Sequence, residues 1–343
     1  MLNINECNNK LIQRDLDTLM SLNRSLNSFS ISDRSILFLN FMRYNNFIVL
    51  EILDYLRKIY NIDIIKHLEN KKIIKKIRSK LKCNLSVLKT SNEINELMHQ
   101  IFKNMNNPII IRLFPNLCDN YGIFIYDNNC VIANTFEIYA MMGKALYKNG
   151  KSDKNKIMSY SSEIGSLLSC LCDIFKVNKK FKSDVVLEKT QIKSKDYNLY
   201  KYIKDENLNK IVFIINKLVA LNFYKSIISS QFKNKLNSLD IKLKYVLCRN
   251  TIEELKEINF NYIYEEHLLI YDNIDFRNFM YHYAFPINFE EIKTDKLLYG
   301  VPESLLKISE NKLNNILNEC IDQLILNLLK EIKNSKYNFW ITS

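Results

Sequence analysis

Glycine and proline are almost missing from this chain: its 343 residues include five Gly, four Pro and a single Trp. Such scarcity excludes collagen-like and linker-rich architectures, and it marks each position where these residues do occur as a place where the backbone turns. No run approaches the roughly 18 to 20 consecutive apolar residues that span a bilayer. The opening MLNINECNNK has neither a basic nor an apolar leader segment, so an intracellular, soluble protein without a membrane partner is expected. The eight Cys (7, 83, 118, 130, 170, 172, 248 and 320) form no C-x-x-C pair, and Cys170-x-Cys172 with any of the four His fits no standard ligand spacing. Reduced thiols and no metal are the expectation. Also missing are a Gly-rich phosphate loop, a His-x-x-x-His pair and a Gly-x-Ser-x-Gly elbow, while Asp119 and Asp127 lie in turn-like stretches where Asp is ordinary. Neither catalysis nor a cofactor is expected.

What the chain has in quantity is Asn, Lys, Ile and Tyr, the mark of an AT-rich coding sequence, which discounts any single Lys or Asn. At 47% hydrophobic it is long enough for two or three domains with cores of their own. Its net charge of +12 is unevenly placed. Residues 1–250 carry 40 Lys and Arg against 22 Asp and Glu, and residues 251–343 carry 9 against 15. A basic body suits a polyanion such as nucleic acid, and an acidic end suits either a protein partner or an internal charge mate. A solvated surface in a Lys-rich chain accounts for the same numbers.

Residues 1–80 read as a small helical domain, with Leu11, Leu16, Leu19 and Leu22, then Ile36, Leu37, Phe41, Ile48, Ile52, Leu56 and Ile59 recurring at helical steps. Ser32 suits an N-cap, and Asn45-Asn46 suits an interruption of the helix that follows. The run KKIIKKIRSKLK places Lys71, Lys72, Lys75, Lys76, Arg78 and Lys80 around an apolar stripe of Ile73, Ile74, Ile77 and Leu81. Such a helix can lie along a phosphate backbone, or simply face the core with a charged back. A second basic cluster, Lys179, Lys180 and Lys182, follows a helix expected near 159–175. Short β-branched runs at 184–193, 210–215 and 241–247 read as strands, and Thr251 with Glu254 has capping-box spacing in a helix after the last of them. Residues 259–343 form an acidic, aromatic-rich region that closes in one long amphipathic helix from Pro302 to about Lys333, expected to pack within the same chain.

Residues 108–148 are the most ordered stretch. IIIRLFP, with Arg112, reads as a strand; YGIFIY, with Phe124, is a second; DNN is a tight turn; CVIAN is a third strand; FEIYAMMGKALYK is a helix. In this order the segment resembles one repeat of the TATA-binding-protein fold, with residues 81–175 as repeat one and 184–258 as a fainter repeat two. Asp127-Asn128-Asn129 stands where that family usually has Ser-Gly-Lys. GIFIYDNNCVIANTFEIY and KSDKNKIMSYSSEIG are similar to segments of the smaller subunit of the poxvirus intermediate transcription factor, and LFPNL to one of the larger.

The resemblance implies an α+β fold: an N-terminal helical domain, then a curved antiparallel sheet with helices on one face over 81–258, then the C-terminal helix. It further implies a viral transcription initiation factor subunit in the host cytoplasm, binding an AT-rich promoter and a second factor subunit or RNA polymerase. Arg112 would contact the backbone or minor groove, and Phe124 would push between base steps to bend the duplex. The residues by themselves also allow a core aromatic at 124 and a surface ion pair at 112. A virus-encoded helical scaffold or assembly protein without nucleic-acid affinity is the alternative. Filter binding with Arg112→Ala and Phe124→Ala separates the assignments: groove contacts require weaker retention and a shallower salt slope, and unchanged values remove them.

Overall fold

Apolar residues at three- and four-residue steps make α1 (Ile4–Ser25) and α2 (Ile31–Tyr60), the first two helices of a computed structural model of the protein. The structure describes residues 4–26, 29, 31–70, 72, 74–75, 121–126, 130–134, 147–148, 151–152, 154–177, 192–197, 206–232, 235–260, 270–286, 289 and 292–337. Leu11, Leu16, Leu19 and Leu22 line the buried face of α1, and every residue of α2 from Phe41 to Leu50 is buried. Asn45 and Asn46 therefore do not interrupt α2, contrary to expectation. Their amides are satisfied inside the core: Asn45 exchanges hydrogen bonds with Asn23 at 2.8 Å, and Asn46 Oδ1 accepts from the Tyr160 hydroxyl at 2.7 Å. Satisfied amides remove the desolvation cost that would break the helix. Ser32 lies inside the first turn of α2 and does not precede it.

The fold is α+β. Strands β1 (Tyr121–Tyr126) and β2 (Cys130–Asn134) form the expected hairpin. After the short pair β3 (Tyr147–Lys148) and β4 (Lys151–Ser152) comes α3 (Lys154–Ile174), and β5 (Lys193–Tyr197) completes an antiparallel sheet of order β2-β1-β5. Phe124 pairs with Ala133, and the register shifts between Phe124 and Ile125. Among the described residues, α4 (Glu206–Phe223), α5 (Ser238–Glu257), α6 (Ile274–His282) and α7 (Val301–Leu306) follow, before the closing α8 (Glu310–Lys333). A π-helical turn (Tyr224–Ile228) and a 3-10 turn (Ser229–Phe232) extend α4.

Two expected strands are helical. KIVFII at 210–215 lies in α4, where Ile211, Val212, Phe213, Ile214 and Ile215 are all buried; a helix covered on every side shows the same unbroken apolar run as a buried strand. IKLKYVL at 241–247 lies in α5, and its alternation of apolar residues with Lys imitates a half-buried strand. Lys242 and Lys244 are buried as fully as their neighbours, so the alternation marks no solvent face. Asn237 starts α5 by accepting from the amides of Leu239 and Asp240, and Thr251 and Glu254 fall inside the helix, so they form no capping box. The second repeat expected over 184–258 thus keeps only Lys193–Tyr197 as strand among its described residues. IIIRLFP and most of FEIYAMMGKALYK lie outside the described residues. The closing helix is also divided: Lys307, at φ 58°, ends α7, and the Ser309 hydroxyl caps α8 by accepting from the Lys312 amide. Leu313, Leu317, Ile321, Leu324, Leu328 and Ile332 then bury α8 against α4 and α5 in the same chain.

Two stretches, Ile36–Tyr60 and Lys210–Phe232, are long and apolar enough to cross a membrane; 83% and 72% of their most apolar windows lie inside the fold. At the centre, Asp15 of α1 accepts from Ser238 Oγ at 2.7 Å, from Lys242 Nζ at 3.0 Å and from the Tyr283 hydroxyl at 2.9 Å, with Asp15, Lys242 and Tyr283 all fully buried. The Lys242 ammonium also lies 3.1 Å from the centre of the Tyr283 ring. Burial pushes the Lys242 pKa down, against the pull of the Asp15 charge, and burial raises that of Tyr283, keeping its proton available for Asp15. Asp15→Ala strands Lys242 and should cost about 3 to 5 kcal/mol in urea unfolding, whereas Asp15→Leu with Lys242→Met should recover most of that loss.

Candidate functional site

Of the basic run, Lys72 and Lys75 are described, and both are exposed on a helical turn whose Ile74 is fully buried. Three contacts hold this turn. The Glu163 carboxylate of α3 accepts from the backbone amides of Glu69 at 2.7 Å and Asn70 at 2.9 Å, satisfying donors that a helix start leaves open. Asn70 donates to Ser159 Oγ at 3.1 Å, and Asn46 of α2 donates to the Ile74 carbonyl at 3.4 Å. These contacts tie the backbone of the turn to α2 and α3. Lys71, Lys76, Arg78 and Lys80, the cluster Lys179, Lys180 and Lys182, and Arg112 lie outside the described residues.

Phe124 has a filled surrounding. It is half-buried and, with Ile36 and Leu39 of α2 and Ile157 of α3, packs against Ala133. Val131, Ile132, Ala133 and Asn134 of β2 are all buried, since α4 covers the other side. Two asparagine contacts tie β2 to α4: Asn222 donates to the Val131 carbonyl at 3.1 Å, and the Asn134 side chain donates to that of Asn216 at 2.8 Å. Among the described residues, Phe124 thus joins a packed apolar cluster, as the core reading of the residues allows, while staying half-buried. The acidic end is partly used inside the chain, since Lys210, Lys217 and Lys225 along α4 and its π turn pair with Glu331, Glu254 and Asp322.

A polar cavity of about 490 Å³ opens between the π and 3-10 turns after α4, the start of α5 and the first half of α8. At its wall Tyr224 donates to Asp240 Oδ1 at 2.5 Å, and Lys244 reaches Asp240 Oδ2 at 2.6 Å and Asn314 Oδ1 at 2.9 Å. Burial raises the Asp240 pKa, with Lys244 opposing the shift; burial also raises that of Tyr224, so its phenol remains a donor. Lys225, Ser229, Ser230, Lys235, Asn315 and Asn318 supply further polar groups, and Phe232 and Ile321 supply apolar wall. These residues were not singled out by sequence reasoning. Asn314, Asn318 and Asp322 follow one another at four-residue steps on the polar side of the amphipathic α8, a pattern that any wet helix face shows.

No group of three or more His, Cys, Asp or Glu is arranged to hold a metal among the described residues, and Cys170 is exposed where Cys172 is buried. No protein-family model matches the chain, and no curated protein or solved structure is significantly similar to it. Glu163→Ala should release the basic turn: a stability loss of about 1 to 2 kcal/mol for two charge-assisted hydrogen bonds at a partly exposed site, with faster hydrogen exchange confined to Glu69 and Asn70 as the local signature.

Proposed function

We propose that the protein binds nucleic acid through its cation-rich helical surface and acts as a subunit of a viral transcription initiation assembly. An AT-rich promoter is its DNA, and a second factor subunit or an RNA polymerase is its protein partner. The reading is carried by the anchored basic turn. Ile74 is sealed in the core, Glu163 holds the backbone, and Lys72 and Lys75 project from a rigid body. Cations positioned in this way neutralise phosphates with little ordering cost, and each contact releases counterions. The excess of 40 basic over 22 acidic residues in 1–250 supplies the wider field that draws a polyanion in. In this reading helices meet the DNA.

A second reading, a helical scaffold or assembly protein, draws on the pairing of Lys210, Lys217 and Lys225 with acids of α5 and α8, which uses charge for cohesion. Salt dependence separates the two. For nucleic-acid binding, affinity for a short AT-rich duplex measured by fluorescence anisotropy falls steeply between about 50 and 200 mM salt. Lys72→Glu with Lys75→Glu then weakens binding at every sequence and lowers the log–log salt slope by about two, one for each lost phosphate contact. Retention that ignores both salt and the double variant leaves the scaffold reading standing.

A further inference from the structure

The cavity beside the π turn has a composition that the nucleic-acid reading does not use. Its walls bring together three ammonium groups (Lys225, Lys235 and Lys244), two hydroxyls (Ser229 and Ser230) and a row of amides on α8. Two carboxylates share the space, and both are occupied. Asp240 is held by Tyr224 and Lys244. Asp322 pairs with Lys225 at 2.7 Å, with side chains 50% and 54% exposed, a surface pair weak enough to re-form around a ligand. Lys244 uses two of its three N–H donors on Asp240 and Asn314, leaving one for a guest. Lys235 is exposed and has no acidic partner among the described residues. The local backbone is itself unusual, since π turns are rare and gather at functional sites. This one is kept in place by the buried Tyr224 hydroxyl, which donates to both the carbonyl and the carboxylate of Asp240. It sets Lys225 and Ser229 on the same wall.

We propose that this cavity binds a nucleoside monophosphate group. Lys235 and the remaining donor of Lys244 take the phosphate, assisted by the hydroxyls of Ser229 and Ser230. Phe232 and Ile321 form the apolar surface against which the base lies, and the amides of Asn315 and Asn318, each both donor and acceptor, read its edge. The volume falls within the range of small-ligand sites. The assignment does not rest on DNA binding by the Lys72–Lys75 turn, and the group can come from a free nucleotide or from the phosphorylated end of a strand.

Isothermal titration of the full chain tests it, with adenosine 5′-monophosphate, adenosine and inorganic phosphate as separate probes. Saturable binding of the nucleotide, tighter than either fragment, is expected. Lys235→Glu, at an exposed position outside the core, should weaken it by about tenfold or more, the loss of one charge-assisted contact, while leaving duplex affinity and thermal stability unchanged. Lys72→Glu with Lys75→Glu should leave nucleotide affinity unchanged. Competition by a 5′-phosphorylated oligonucleotide but not by its 5′-hydroxyl counterpart assigns the strand end as source, and lack of competition by either assigns the free nucleotide. Absence of saturable binding, inorganic phosphate binding as tightly as the nucleotide, or equal affinity in Lys235→Glu overturns the proposal.

Discussion

The carboxylate of Asp15 and the ammonium of Lys242, both closed off from water, impose the condition that the helical body must meet. Neither charge is tolerable alone in that position, because transfer from water costs several kcal/mol per ion. Residues 227 positions apart in sequence must therefore meet with their remaining valences filled, and Ser238 and Tyr283 fill them. Tyr283 reaches Asp15 from a left-handed position at φ 52°, just past the end of α6, so the turn there is part of the same arrangement. Glu51 repeats the logic one helix away, fully buried with His282 Nδ1 at 2.6 Å. Together these contacts bind α1, α2, α5 and α6 in one relative orientation. Apolar packing alone would permit several.

Asparagine does similar work further out. Asn23 with Asn45, Asn46 with Tyr160, Asn134 with Asn216 and Asn222 with the Val131 carbonyl each join two elements distant in sequence. Buried amides must be paired, so each contact selects a register as well as adding stability. One consequence bears on function. The turn carrying Lys72 and Lys75 hangs on Asn46, Tyr160 and Glu163, while the polar cavity hangs on Tyr224, Asp240 and Lys244. In both places hydrogen bonds to neighbouring elements tie the surface to the fold behind it.

Amphipathic periodicity was enough to read α1, α3 and α8, because each has one wet face and one dry face, and apolar residues at helical steps marked α2 although it is buried all round from Phe41 to Leu50. Punctuation was enough to read the hairpin of β1 and β2, with three residues between alternating runs. The failures share a cause. In α4 and α5 both faces are dry, so the period that separates helix from strand disappears, and Lys242 and Lys244 counted as solvent markers although each is buried against a carboxylate. Asn45-Asn46 misled in the same way, since their partners lie elsewhere in the chain. Phe124 reads equally well as wedge or core in the sequence, and the packing of Ile36, Leu39 and Ile157 with it against Ala133 is visible only in the fold.

By itself the sequence determined what depends on local spacing: an α+β chain with helices at both ends, a tight antiparallel hairpin, a basic run backed by isoleucine, and an acidic end with an amphipathic closing helix. The tertiary structure alone decided what depends on partners remote in the chain. It turned two apparent strands into core helices, gave the acids of α5 and α8 to lysines of α4 and its π turn, and covered β2 with α4. It also assembled a cavity from α5, α8 and the turns after α4. The physical reason is the same throughout: a polar group declares itself buried or exposed only when its partner is known, and for Asp15, Lys242 and Asn46 that partner lies far along the chain.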